Sequence, residues 1–170
     1  MAWHGMAWHW QALLRGVQPS QIIFSNVAQR EEHVKRGFLA DLFLDTPACN
    51  AHTTACDILW SSTPLITLSG SKMATRVGAS LLRAAGLEEL ITTSHESYEE
   101  LAVALALDAP RLSAMRQHLE NSRDSSAAFD TARWVRNAEI GLRQAWLLHE
   151  TGQPVQDIDV ADTGPLCSAL

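Results

Sequence analysis

The sequence predicts an α/β fold: a Rossmann-like parallel sheet with flanking helices, extended by further helices at its C-terminal end. Two observations carry this. Short apolar runs, "IIFS", "LFLD" and "PLITLS", alternate with helical stretches from Gln21 onward, and strands separated by helices pair in parallel because a parallel pair needs a long crossover. After a fourth run, "ELIT", the alternation stops and three helical patterns follow one another.

Each element has its own signal. "IIFS" (Ile22 to Ser25) and "LFLD" (Leu42 to Asp45) read as the first two strands of about four, and they bracket the helical stretch "REEHVKRGF". There Val34 and Phe38 lie opposite Arg30, His33 and Arg36. The helix after "HTT" opens at Thr53 and turns Ile58 and Leu59 toward the sheet. "KMATRVGASLLRAAG" reads as one helix from Lys72, with Val77, Leu81 and Leu82 on one side and Gly86 as its stop. Residues 97–107, 110–122 and 131–149 read as helices, the second opening on a proline that a first turn tolerates. From Thr151 the chain is polar and punctuated by Gly and Pro, the pattern of a loose tail. "MAWHGMAWHW" repeats Ala-Trp-His without usable turn chemistry. The expected organisation is an atypical leader or partial helix over 1–18, one ligand-binding domain over 19–150 and a flexible tail over 151–170.

Composition excludes several classes. The 170 residues fit one domain able to bury a core. A net charge of -6 argues against nucleic-acid partners, which need clustered Lys and Arg. Cys49, Cys56 and Cys167 form neither a disulfide framework nor a zinc pattern, and His4 and His9 have no third ligand at a fixed spacing, so no metal is expected. No run reaches the ~20 apolar residues of a membrane helix, and the start lacks the basic region of a signal peptide. A soluble, intracellular chain is expected, with no membrane partner. No Gly-x-Ser-x-Gly elbow is present, and Cys49 has His52 nearby without a third, orienting group, which sets nucleophilic catalysis aside.

Open parallel sheets bind ligands beyond the carboxyl ends of their strands. The loop "TPACNAHTT" delivers Thr53 and Thr54 to a helix start, whose free N–H groups and dipole favour a phosphate. Asp57 lies one turn on, on the same face, placed to accept from a ribose diol. The Thr54 to Asp57 spacing equally resembles a capping box. Arg30, His33 and Arg36 recur every three residues, a set that suits stacking on a nucleobase and bonding to its carbonyls. They equally suit a solvated face paired with Glu31 and Glu32. In "SGSKMATR", Lys72 and Arg76 on one helical face either neutralise phosphate or are plain surface charges.

The stretch "VAQREEHVKRGFLADLFLDTPACNAHTTACDILWSSTPLITLSGSKMATRVGASLLRAAGLEELI" closely resembles the C-terminal part of the O-linked N-acetylglucosamine transferases, family GT41, over roughly residues 19–150. The resemblance implies a two-domain glycosyltransferase of the GT-B type, usually preceded by tetratricopeptide repeats. Such enzymes transfer GlcNAc from UDP-GlcNAc to Ser or Thr hydroxyls of nuclear and cytoplasmic proteins. By that resemblance Ala28 meets uracil through its backbone, Arg30 the ribose region, His33 the base by stacking and Arg36 a uracil carbonyl. His52, Thr53 and Thr54 flank the diphosphate and sugar, Asp57 holds the ribose hydroxyls, and Cys49 lies near the N-acetyl group.

Arg30 stands where a lysine is common, and Ala51 and Ala55 replace small glycines, which tightens the loop if either needs positive φ. A sister branch, the SPINDLY-type protein O-fucosyltransferases using GDP-fucose, lacks this histidine and has a glutamate in place of Asp57. The family's catalytic-face histidine and phosphate-binding lysine belong to segments upstream of the match. A fragment is therefore expected, with no catalytic residue of its own and no cofactor; the alternatives are the SPINDLY-type branch and a non-catalytic nucleotide-sugar-binding module. Its expected partners are UDP-GlcNAc, Ser/Thr-bearing acceptor proteins, the missing N-terminal GT-B half and the repeat region, in the cytoplasm and/or nucleus.

Overall fold

The computed structural model describes residues 10–165, so most of the leader and Cys167 lie outside the described residues. The chain divides into two compact units, Met1–His33 and Val34–Leu170. In the first, residues 10–14 are helical, Pro19–Gln21 form a 3-10 turn, and residues 22–29 have no regular structure. The expected strand "IIFS" does not form. Ile22 is extended, with φ -103° and ψ 111°, but Ile23 is 88% exposed and Phe24 is exposed too. An apolar run predicts extended backbone; it becomes a buried strand only by joining a ladder. Helix α1 (Arg30–Gly37) runs across the division.

The second unit holds a three-stranded sheet, not a four-stranded one, among the described residues. Strands β1 (Phe43–Leu44), β2 (Leu65–Leu68) and β3 (Ile91–Thr92) lie in the order β1-β2-β3. Both pairings are parallel, with Phe43 opposite Leu65, Leu44 opposite Ile66, Thr67 opposite Ile91 and Leu68 opposite Thr92. All four β2 residues are buried, as a central parallel strand covered on both faces requires. Helices α2 (Thr53–Trp60), α3 (Val77–Ala84) and α4 (His95–Ala106) connect and flank the strands, and α5 (Ala109–Ser122) and α6 (Thr131–Glu150) follow. The core joins Leu59 of α2, Leu65 and Ile66 of β2, Leu82 of α3, Leu105 of α4, and Met115 and Leu119 of α5. No described helix is long and apolar enough to cross a membrane.

Local chemistry explains most boundaries. Asp108 accepts from the Arg111 N–H at 3.0 Å and Asp130 from the Arg133 N–H at 2.9 Å, capping α5 and α6. Ser94 accepts from the Ser97 N–H at 3.1 Å, so α4 starts two residues before the sequence pattern suggests. Gly86, at φ +73°, stops the chain beyond α3 in the left-handed region that glycine enters without strain. The single helix expected from Lys72 is instead a 3-10 turn, Met73–Thr75, followed by α3. The Thr75 hydroxyl donates to the Lys72 carbonyl at 2.9 Å and the Gly70 N–H to the Thr75 carbonyl at 2.9 Å. Such local bonds compete with helix. Lys72 thus precedes the turn while Arg76 sits at its junction with α3, and the two do not share a helical face.

Beyond α6 the described residues, 151–165, have no regular secondary structure, yet they are tied along that helix. Arg133 pairs with Asp162 through Nε at 2.8 Å and again through Nη2. Asn137 donates to the Asp162 carboxylate at 2.9 Å and accepts from the Thr163 hydroxyl at 2.8 Å, and Arg136 donates to the Gly164 carbonyl at 2.9 Å.

Candidate functional site

The carboxyl end of β1 is built around Asp45, 1% exposed. Its N–H continues the ladder to the Ile66 carbonyl at 3.0 Å. Its carboxylate accepts from the N–H groups of Thr46 at 2.9 Å and Ala51 at 2.6 Å, and from the Thr67 hydroxyl at 2.7 Å. The loop between is braced again by Asn50. That side chain donates to the Thr46 carbonyl at 3.2 Å and accepts from the Gly78 N–H at 3.3 Å, while its own N–H donates to the Ala74 carbonyl at 2.8 Å. The approach at Gly78 is close: a Cβ there would lie 2.7 Å from the Asp45 carboxylate and 2.5 Å from the Thr67 hydroxyl.

This loop ends in His52, the residue that caps α2, with φ -98° and ψ -87° and no side-chain capping bond. The first intrahelical bond runs from the Cys56 N–H to the His52 carbonyl at 3.2 Å. Thr53 and Thr54 are the first two helical residues and are exposed. Thr54 is therefore not a cap, and the capping-box spacing to Asp57 is not realised; three residues after the true cap stands Ala55. The cap residue His52 makes no side-chain bond to this helix start, and the N–H groups of a helix N-terminus favour an anionic acceptor.

Asp57, 9% exposed, lies one turn behind. His52 Nε2 is 3.5 Å from the Ala74 carbonyl, and Cys49 is exposed on the loop. The Cys56 thiol is pushed up by burial, and further by the charge of Asp57. Both effects disfavour its thiolate. The far end of α2 is anchored by Trp60, edge-on to Phe129 at 5.1 Å, and by Ser62, at φ 59°, whose hydroxyl accepts from Arg123 at 2.7 Å.

The second unit thus brings Cys49, His52, Thr53, Thr54 and Asp57 together on one loop and helix. Arg36 stands in the last turn of α1, before Gly37, whose carbonyl accepts from the Thr63 hydroxyl at 2.7 Å. Ala28, Arg30 and His33 belong to the first unit, with Arg30 exposed and His33 half-buried on α1. A groove of about 470 Å³ lies at the carboxyl ends of the strands, lined by Pro47, Ala48, Leu68, Ser69, Gly70 and the segment Thr93 to His95. Another, of about 530 Å³, lies before β1 between Asp41, Leu42 and residues of α5. It touches none of the residues singled out from the sequence. Among the described residues no three of His, Cys, Asp or Glu group as metal ligands.

Sequence reasoning passed over Asp45, Asn50, Thr67 and Tyr98. Tyr98, on α4, donates its hydroxyl to the Asp45 carbonyl at 2.9 Å. The available signals were small: an acid ending an apolar strand run, a threonine inside another, and the single tyrosine of the chain.

Comparison with known proteins places this geometry. Residues 5–138 match the model of glycosyl transferase family 41. The chain is 50% identical over 152 residues to the probable UDP-N-acetylglucosamine–peptide N-acetylglucosaminyltransferase SEC of Arabidopsis thaliana, covering 89% of this chain and 16% of that protein. It is 46% identical over 144 residues to the UDP-N-acetylglucosamine–peptide N-acetylglucosaminyltransferase of Caenorhabditis elegans, covering 85% and 12%. The protein of Solanum lycopersicum named as a probable transferase of the same type, SPINDLY, is 33% identical over 132 residues, covering 77% and 14%. A solved mutant O-GlcNAc transferase of Thermobaculum terrenum superposes with a TM-score of 0.78 at 30% identity, over 84% of this chain and 27% of that one. The chain spans 12% to 16% of the length of these curated relatives.

Proposed function

The chain belongs to glycosyl transferase family 41, and from that premise we propose that residues 19–150 form the UDP-sugar-binding part of a protein O-GlcNAc transferase. The reaction is transfer of GlcNAc from UDP-GlcNAc to Ser or Thr hydroxyls of proteins. The observation that supports it best is the start of α2: an uncapped helix N-terminus at Thr53 and Thr54, at the carboxyl end of a parallel sheet, with Asp57 buried one turn behind. The helix N–H groups take the diphosphate beside His52. Asp57 takes the ribose hydroxyls, and Ala28, Arg30, His33 and Arg36 take the nucleoside. Cys49 faces the N-acetyl group.

Transfer in this reading is a direct displacement with inversion. The acceptor hydroxyl attacks C1 and gives its proton to a base assigned to segments outside this chain, the bond from C1 to the diphosphate oxygen breaks, and the helix donors stabilise the charge that develops on the leaving group. No metal or cofactor is assigned. No catalytic residue is assigned to this chain either; the acceptor-facing groups are assigned to the segments that the longer relatives have beyond it. The partners are UDP-GlcNAc and acceptor proteins rather than nucleic acid or membrane, in the cytoplasm and/or nucleus.

Calorimetric titration tests the reading. UDP is expected to bind more tightly than GDP, and Asp57→Ala is expected to weaken UDP far more than uracil. Equal or tighter binding of GDP would favour the SPINDLY-type O-fucosyltransferase branch instead.

A further inference from the structure

We propose that Asp45 is the positioning residue of the donor site: it touches no substrate, and it sets where the first N–H groups of α2 stand. This rests on the reading of α2 as the diphosphate seat. One carboxylate oxygen accepts from both ends of the loop, the Thr46 N–H at 2.9 Å and the Ala51 N–H at 2.6 Å. Ala51 directly precedes His52, the cap of α2. The other oxygen accepts from the Thr67 hydroxyl at 2.7 Å, which fixes the rotation of the carboxylate against β2. The Asp45 backbone is held as well, through its ladder bond to Ile66 and the Tyr98 hydroxyl at 2.9 Å.

Strand, loop and helix start are therefore joined through one side chain, 1% exposed. The carboxylate gives both loop N–H groups a charged acceptor, and charge-assisted bonds are roughly twice as strong as neutral ones. An asparagine of the same shape can keep its Oδ1 on the two loop N–H groups only by turning its NH₂ group to the Thr67 hydroxyl, which then accepts, so the loop is held by a neutral oxygen and more weakly.

The test is Asp45→Asn in the full chain, titrated with UDP and with uridine, and followed by hydrogen exchange. The substitution is expected to weaken UDP by about tenfold or more, the order of loss when a group that orients a binding residue is removed. Uridine, which has no phosphate, should lose less than UDP does, since only its ribose is assigned to α2, through Asp57, while its base is assigned to residues outside that helix. The Ala51, Thr53 and Thr54 amides should exchange faster while β2 amides keep their protection. Unchanged UDP affinity, or equal losses for UDP and uridine, overturns the proposal.

Wild-type chain that binds no UDP would refute the donor-site reading itself, and unchanged protection at Ala51 in Asp45→Asn would separately overturn the role of Asp45 in holding the loop. If Asp45→Asn does not fold, Thr67→Val takes its place. It removes one donor to the carboxylate and leaves every loop amide intact. Faster exchange at Ala51 with a loss confined to UDP is expected; wild-type behaviour overturns the proposal.

Discussion

Tyr98 is the single tyrosine of the chain, so its ionisation can be followed directly by tyrosinate absorbance. Burial, and then the negative charge of Asp45, push it up to about 12 from the ordinary 10.0. The folded chain therefore holds this proton more tightly than the unfolded chain does. Below pH 10 both states keep it and stability is unaffected. Between about 10 and 12 the unfolded chain ionises first, so stability falls as pH rises.

The full linkage between those two values is about 2.7 kcal/mol. The ring is only half-buried, and screening by water brings the expected loss to about 1 kcal/mol. Tyr98→Phe should abolish this alkaline slope and itself cost about 1 kcal/mol at neutral pH for the lost bond to Asp45. Absorbance titration with and without denaturant, together with urea unfolding on either side of pH 10, measures both. A midpoint near 10 in chain that circular dichroism shows to be folded would refute the reasoning, as would an alkaline loss that survives in Tyr98→Phe.

Leu82→Ala, at a fully buried core position, should cost about 2 to 5 kcal/mol in urea unfolding; a change below about 0.5 kcal/mol, the level of an ordinary surface substitution, would contradict the packing described. The Arg133 guanidinium, helped by Asn137, holds the Asp162 carboxyl well below the usual carboxylate range. The contact of the tail with α6 should be complete above the ordinary aspartate value of about 3.9 and be lost only as pH falls below it. Limited proteolysis of the tail across that range reads this, and Asp162→Asn should speed cleavage at neutral pH without moving the melt of the sheet. Purified chain mixed with UDP-GlcNAc and a Ser/Thr-rich peptide should form no GlcNAc-peptide, because holding the acceptor in near-attack geometry supplies about 7 to 11 kcal/mol and is assigned to other segments. Product formed in proportion to this chain, and abolished by His33→Ala, would show that reasoning to be wrong.

What the sequence made legible was whatever is decided by near neighbours along the chain. The "HTT" helix start, the proline in the first turn of α5, the opening of α6 at Thr131 and the glycine stop at Gly86 all depend on residues within a few positions. "IIFS" misled because strand formation depends on a distant partner. The helix from Lys72 misled because the Thr75 hydroxyl took the Lys72 carbonyl first. At the candidate site the residues assigned to the diphosphate were readable as a motif, whereas the scaffold behind them was not. Asp45 reaches Thr67 across 22 positions, and Tyr98 reaches Asp45 across 53. No periodicity announces such pairs. Whether Thr54 and Asp57 form a capping box was also beyond the sequence, since it turned on whether the cap was Thr54 or His52.

The sheet register has a consequence for any ligand lying across it. β2 gives its first two residues to β1 and its last two to β3, so the ends of the outer strands stand two residues apart in height. At about 3.3 Å per residue that step is about 6 to 7 Å. The floor of the crevice is therefore a ramp, low where the loop from β1 turns toward Thr53 and high where β3 enters α4. A long, jointed molecule resting on α2 can climb that slope with successive groups at successive levels, whereas a flat one bridges it and leaves a gap beneath.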